Sequence, residues 1–325
     1  MHVLTFNSFP GSPLPYIMNG TPGIGQTKRL EAQVEELGSL VYDIACFQEI
    51  FSKKAIRAYS EAHTRRGFGI LYTANTWTMG RFFVGAWIRL VFSTVFNVPV
   101  WLFMSSTTLF DQDTKQCLCL ILLILGCSVA HFCLHEWTLI AFSSNEVHAG
   151  LVTCYRKSMF DLMECFPLDL PQSGDLMNVV QPRQCLVSRF RCKGSGCTIC
   201  VANTHLNALG SPEYRLKQIK VLLDALSNNA DDIQILAGDL NTTPDSIELD
   251  YLFSQGWSDT AAKAAERVVE PTWSNQNALT KGWLHSSSAR LDFVLYKPRN
   301  SYVPEKYSTV MKGGTSDHYG VLVKF

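Results

Sequence analysis

Residues 82–142 interrupt an otherwise regular alternation of short apolar runs and amphipathic stretches. Within them, segment 82–104 (FFVGAWIRLVFSTVFNVPVWLFM) carries a single charge, Arg89, and segment 117–134 (CLCLILLILGCSVAHFCL) carries none when His131 is neutral. A helix needs roughly 20 mostly apolar residues to cross a bilayer, and both segments approach that length. The polar link between them holds Asp111, Asp113 and Lys115, so the pair reads as a transmembrane helical hairpin that returns the chain to the side it left. A pair of buried helices, or a re-entrant hairpin, is the alternative reading, supported by Arg89, Asn97, Pro99 and the shorter second run. Three parts follow: 1–81, the apolar hairpin 82–142, and 143–325, with the outer two forming one catalytic domain.

The flanks read as α/β. HVLTF (2–6) predicts a strand running into Asn7, and DIACFQEI a short apolar strand ending on Glu49. A helix is predicted over about 27–41, with Leu30, Val34, Leu37 and Val41 on one face and Lys28, Arg29, Glu31 and Glu35 on the other. GLVTCY reads as a strand, CLVSRFRC and CTICVANTHL as a hairpin across a Gly-Ser-Gly turn, and IQILAGDL, RLDFVLY and YGVLVKF as further strands. Between them, 213–227 predicts an amphipathic helix with Leu216, Ile219, Leu223 and Leu226 inward.

Charge and cysteine usage narrow the classes. Lys plus Arg equal Asp plus Glu at 28 each, whereas a chain that grips polyanions carries a basic excess, so no nucleic-acid partner is expected. Cys197-x-x-Cys200 has no second pair to complete a zinc set and reads as two residues beside the turn. Free thiols suit a reducing compartment, and the N-terminus MHVLTFNSFP has no basic patch followed by a long apolar core, so no signal peptide is expected. Lys53, Lys54, Arg57, Arg65, Arg66, Arg81, Arg156 and Lys157 flank the hairpin on the catalytic side, which by the positive-inside rule faces the cytosol. That placement also keeps the sequon Asn241-Thr242-Thr243, which lies inside a candidate catalytic motif, from glycosylation.

Six short polar motifs fall at or just past strand ends, where scaffolds hold reactive groups on loops. They are Asn7, Glu49, Asn203 with His205, Asp239 with Asn241, Asp292, and Asp317 with His318. Taken together they supply what phosphodiester cleavage needs: oxygen ligands for a hard cation, donors for phosphoryl oxygens, and an Asp–His pair for proton transfer. No serine or cysteine nucleophile motif and no G-x-x-x-x-G-K string is present, which points to attack by water without a covalent intermediate.

The ordered set of Asn7, QE, NTHL, GDLN, RLDFVLY and SDH resembles the endonuclease/exonuclease/phosphatase superfamily, on both flanks of the hairpin. The resemblance implies a four-layer α/β sandwich, DNase I-like, with Mg²⁺ as cofactor and the site at the strand ends. By position it implies Glu49 as principal metal ligand with Asn7 beside it, and Asp317 as a second-shell or second-metal carboxylate. His205 and Asn241 are implied as phosphate donors, Asp239 as the residue that orients or deprotonates water, and Asp292 as the partner of His318. Whether Asp239 or His318 is the base is left open, as is the number of metals.

Within the superfamily, FQEIF, GLVTCYRK, NTHLNA followed by a helix with Arg215 and Gln218, GDLNTTP, PTWSNQN and RLDFVLYK look most like the neutral sphingomyelinases. Two features depart from that likeness: the apolar insertion splits the catalytic domain, and MNVVQPRQCL has no lysine-glycine pair before its strand. The expected activity is hydrolysis of a phospholipid headgroup, sphingomyelin to ceramide and phosphocholine, at a bilayer that is also the protein's partner. A membrane-anchored nuclease or phosphatase of the same superfamily is the runner-up. A membrane-attached binding protein with a vestigial site is the third reading.

Overall fold

The computed structural model describes residues 1–9, 26–50, 53–73, 150–172, 183–208, 211–227, 230–280, 287–299 and 302–325. The chain divides into two compact units, Met1–Ala74 with His148–Phe325, and Asn75–Val147; the first holds every described residue. Among the described residues no helix is long and apolar enough to cross a membrane. The hairpin read over 82–142 lies outside them.

Thirteen strands are described: β1 (His2–Asn7), β2 (Ile44–Gln48), β3 (Phe68–Tyr72), β4 (Val152–Arg156), β5 (Phe160–Asp169), β6 (Gln184–Cys192), β7 (Thr198–His205), β8 (Ile233–Asp239), β9 (Ser258–Asp259), β10 (Glu266–Val268), β11 (Asp292–Pro298), β12 (Lys306–Val310) and β13 (Gly320–Lys324). The helices are α1 (Gln26–Ser39), α2 (Lys53–Arg65), α3 (Pro212–Ser227), α4 (Ile247–Ser254) and α5 (Thr260–Lys263). Two mixed sheets result, in the orders β10-β12-β13-β1-β2-β4-β3 and β5-β6-β7-β8-β11-β9.

The central strands read as unbroken apolar runs because both of their faces are buried. Val3, Ile44 and Cys46 of one sheet meet Ile199, Val201, Ile233, Ile235 and Val294 of the other. The alternate residues Leu4, Phe6, Ala45 and Phe47 pack instead with Leu30 and Leu37 of α1 and Ala55 and Tyr59 of α2. On the far side Leu236, Phe293 and Leu295 pack with Ile219, Leu222 and Leu226 of α3 and Leu249 and Leu252 of α4. The order is helix, sheet, sheet, helix: the four-layer α/β sandwich. At about 1.5–3 kcal/mol per buried large apolar side chain, a strand covered on both faces contributes roughly twice what a solvent-faced one does. The edge strand β5 is mostly exposed and is blunted by Pro167 and a bulge between Leu162 and Glu164.

Two helix faces differ from the sequence reading. Arg29, expected on the polar face of α1, is buried with its charge against Asp317, and Val41 is exposed because the helix ends at Ser39. On α3 the buried face is Arg215, Gln218, Ile219, Leu222 and Leu226, while Leu216 and Leu223 are half-buried. The stripe is turned because two polar side chains are worth burying there. Arg215 Nε donates to Glu248 (2.7 Å), and Gln218 accepts from the Asn207 N–H (3.1 Å) and donates to the Pro171 carbonyl (2.9 Å).

Candidate active site

Strand register assembles the centre. Parallel pairing of β7 with β8 sets His205 beside Asp239, and antiparallel pairing of β11 with β8 sets Asp292 beside the same Asp239. Parallel pairing of β1 with β2 sets Asn7 beside Gln48, one residue before Glu49. Gly238 lets β7 and β8 come this close. Its φ is +150°, and an added Cβ would lie 1.8 Å from the Thr204 carbonyl oxygen.

Asn7 is buried at the end of β1, and its Nδ2 donates to both Glu49 Oε1 (3.2 Å) and Asp239 Oδ2 (3.0 Å). Asp239 Oδ2 also lies 3.5 Å from His205 Nε2 and 3.7 Å from His318 Nε2. His318 Nδ1 donates to Asp292 Oδ2 at 2.8 Å, which fixes the ring with Nε2 toward Asp239. The Thr272 hydroxyl in turn accepts from the backbone N–H groups of Leu291 and Asp292 (2.9 and 3.1 Å). Glu49 and Asn241 sit in the left-handed region, at φ +63° and +49°, a cost of about 1–3 kcal/mol each that tends to gather at functional sites. Asn241 tolerates it through a local turn in which its N–H donates to Asp239 Oδ1 (2.9 Å). One N–H of its side-chain amide goes to the Leu206 carbonyl (3.0 Å).

The charges divide the two histidines. Burial pushes His205 well below the usual range, and the nearby Arg183 and His318 add to it, so its ring is neutral. Burial also opposes charge on His318, but Asp292, Asp239 and Asp317 outweigh it and hold the ring well above the usual range, as a cation. Burial raises Glu49 to about 7, with Asp317 and Asp239 adding to it against His318 and Asn7. Burial likewise raises Asp239 to about 6, with His318 opposing. Asp317 is raised by burial, with His318 first and then its own backbone N–H, Ser316 and Arg29 pulling it back.

Eight of the nine candidate residues therefore lie in one cluster at the strand ends. Asn203 does not: wholly buried, it accepts from Gln48 Nε2 (2.8 Å) and donates to the Val152 carbonyl (3.0 Å), clamping the two sheets together. Thr272, within PTWSNQN, and Ser316, the first residue of SDH, belong to the site's frame, although neither stands among the candidate site residues. Three arginines outside the cluster are held by the fold. Arg66 donates to the Leu37 and Leu40 carbonyls, Arg156 to Asp43, and Arg189 to Asp231.

A family profile described as the Endonuclease/Exonuclease/phosphatase family matches residues 18–318. The chain belongs to the endonuclease/exonuclease/phosphatase family. Among solved structures, the mannosyl-6-phosphatase Bt3783 of Bacteroides thetaiotaomicron is 16% identical, covering 100% of this chain and 98% of that one with a TM-score of 0.62. The human Nocturnin catalytic domain with bound sulfate is 16% identical over 99% and 92%, with a TM-score of 0.62. D. rerio TDP2 in complex with a single-strand DNA product is 14% identical over 99% and 97%, with a TM-score of 0.60. At such identities the likeness is one of fold. No curated protein matches by sequence.

Members of the endonuclease/exonuclease/phosphatase family are hydrolases of phosphoester bonds and typically use a divalent metal. The residues present fit such an ion. Asn7 Oδ1 is buried with no hydrogen-bond partner, and it lies on the amide that touches Glu49 and Asp239. Glu49, Asp239 and Asp317 bring carboxylate oxygens into one buried cluster, and oxygen donors suit a hard cation. Asp239, Asp292 and His318 also present ligand atoms within 4.8 Å of one another. Because His318 Nδ1 already occupies Asp292 Oδ2, the side that carries Glu49 and Asn7 is the better seat.

Proposed function

We propose that this chain is a Mg²⁺-dependent phosphodiesterase that hydrolyses a phospholipid headgroup, sphingomyelin to ceramide and phosphocholine. The observation that carries the phosphodiesterase reading is the convergence of Asn7, His205 and His318 on the carboxylate of Asp239, with Glu49 tied in through Asn7 and Asp292 through His318. The lipid reading is supported by the strings FQEIF, NTHLNA, GDLNTTP and RLDFVLYK and by the apolar stretch 82–142, which would bring the site to a bilayer facing the cytosol.

Glu49, Asn7 and Asp317 would hold the ion, which when bound polarises the phosphoryl oxygens as a Lewis acid. The chain's own groups do the rest. Neutral His205 and the free N–H of the Asn241 amide grip the phosphoryl oxygens. A water oxygen attacks phosphorus as its proton passes to Asp239, and the bond to the ceramide oxygen breaks as that oxygen takes a proton from cationic His318 Nε2. His318, held as a cation by Asp292, stabilises charge on the phosphoryl group. The 3.7 Å between His318 Nε2 and Asp239 Oδ2 is too long for a direct hydrogen bond and leaves both free to face a reacting oxygen.

The test is a hydrolysis screen with Mg²⁺ and with excess chelator against sphingomyelin vesicles, lysophospholipids, inositol phosphates and single-stranded nucleic acid. Phosphocholine release only with Mg²⁺ is the expected result. Hydrolysis confined to nucleic acid or a phosphomonoester would replace the lipid reading with the nuclease or phosphatase one. Full activity in chelator would overturn the metal mechanism.

A further inference from the structure

Gln33 of α1 lies outside the reacting cluster, yet it is wholly buried and all four hydrogen-bonding positions of its amide are used. Its Nε2 donates to the Ser8 carbonyl (2.6 Å) and to the Thr315 carbonyl (2.9 Å). Its Oε1 accepts from the Ser8 hydroxyl (2.8 Å) and the Tyr59 hydroxyl (3.1 Å), which are themselves 2.7 Å apart. The two carbonyls settle the amide's orientation, since only N–H groups can face them.

The two segments that Gln33 joins are the ones that carry the site's outer residues. Ser8 follows Asn7 directly, and Thr315 begins the run to Asp317 and His318. A second tie runs parallel to the first: the Ser316 hydroxyl donates to the Asn7 carbonyl (2.7 Å) and accepts from the His318 N–H (3.1 Å). One helical turn earlier on α1, Arg29 sets its charge against Asp317. Removing the Gln33 amide would leave two buried carbonyls without their donor and free the Asn7 and Thr315–His318 segments to shift apart.

We propose that Gln33 is a positioning residue, setting the spacing between Asn7 and the Asp317–His318 pair and so the geometry offered to a divalent cation and a phosphoryl group. This rests on the phosphodiesterase reading above. Partners that orient ligand groups from outside typically change metal affinity or activity by about 10–100-fold when lost.

The experiment compares the full chain with Gln33→Leu and with Tyr59→Phe, which removes one donor to Oε1 and leaves both Nε2 bonds in place. Mg²⁺ binding is measured by calorimetry, kcat and KM on a soluble phosphodiester such as bis(p-nitrophenyl) phosphate, and Tm by circular dichroism. Gln33→Leu is expected to weaken Mg²⁺ binding and lower kcat, each at least about tenfold, with KM within about twofold. Tyr59→Phe is expected to lower Tm and leave both within about threefold. If Gln33→Leu remains folded at the assay temperature with Mg²⁺ affinity unchanged, or if Tyr59→Phe loses as much as Gln33→Leu, the proposal fails and the amide is only structural. A wild type that binds Mg²⁺ but cleaves no phosphoester would instead defeat the functional reading, and the binding comparison alone would then decide Gln33.

Discussion

At the scale of residues, Asp239 is the centre to which each other group is referred. Asn7 donates to it, His205 and His318 face it, and Asp292 reaches it through the His318 ring. Glu49→Gln keeps the shape but removes the charge, so Mg²⁺ binding and turnover should both collapse while Tm holds or rises; calorimetry and initial rates check this. His318→Ala should cost at least about a hundredfold in rate, on the scale of positioned proton-transfer groups. Asp292→Asn should cost less, because Asp292 orients the ring and touches no substrate. Equal losses in the two variants would give Asp292 a direct role. The motifs are legible in the sequence because the apolar runs of β1, β2, β7 and β8 stop at polar residues, while Asp292 opens β11 and Asp317 and His318 come just before β13. Asn203 shows the limit: its motif looks like its neighbours, and only cross-sheet packing reveals that its amide holds backbone carbonyls.

At the scale of elements, strands buried on both faces are easy to read and helices are less so. Polar side chains such as Arg29, Gln33, Arg215 and Gln218 can be buried once a partner waits in the fold, and periodicity alone has no means to show the partner. Gly238→Ala is the sharpest element-level test, since the Thr204 carbonyl it would strike is backbone and cannot turn aside. It should cost about 3 kcal/mol and, by parting β7 from β8, most of the turnover; a denaturation midpoint unchanged from wild type would contradict this. α2 offers a second test, independent of the site. His63 Nδ1 donates to the Tyr59 carbonyl (2.7 Å) and Nε2 faces the Tyr42 hydroxyl (2.8 Å), and burial lowers the ring to about 4, with Arg66 adding to it against the Tyr59 bond. The unfolded chain takes up this proton below its ordinary pKa of 6.5, so the stability it contributes is complete above that value and is lost as pH falls toward about 4. Between pH 7 and pH 5 wild type should lose about 2 kcal/mol more than His63→Phe in urea denaturation. Equal losses in the two would mean that the histidine is not held neutral.

At the scale of the whole molecule, the α/β sandwich is legible from the order of its strands, whereas the fate of 82–142 rests on apolar length and flanking charge. If those residues insert as a hairpin, the full chain expressed in cells should stay in the membrane pellet through alkaline carbonate, with Asn241 unglycosylated. Release into the supernatant would favour buried helices, and sugar on Asn241 would reverse the orientation. The most direct measurement of the proposed chemistry is hydrolysis of sphingomyelin in ¹⁸O-labelled water with Mg²⁺, followed by mass spectrometry of both products. Attack of water on phosphorus predicts one ¹⁸O in the released phosphocholine and none in ceramide. Label in the ceramide hydroxyl, or no phosphocholine release under Mg²⁺, would contradict it.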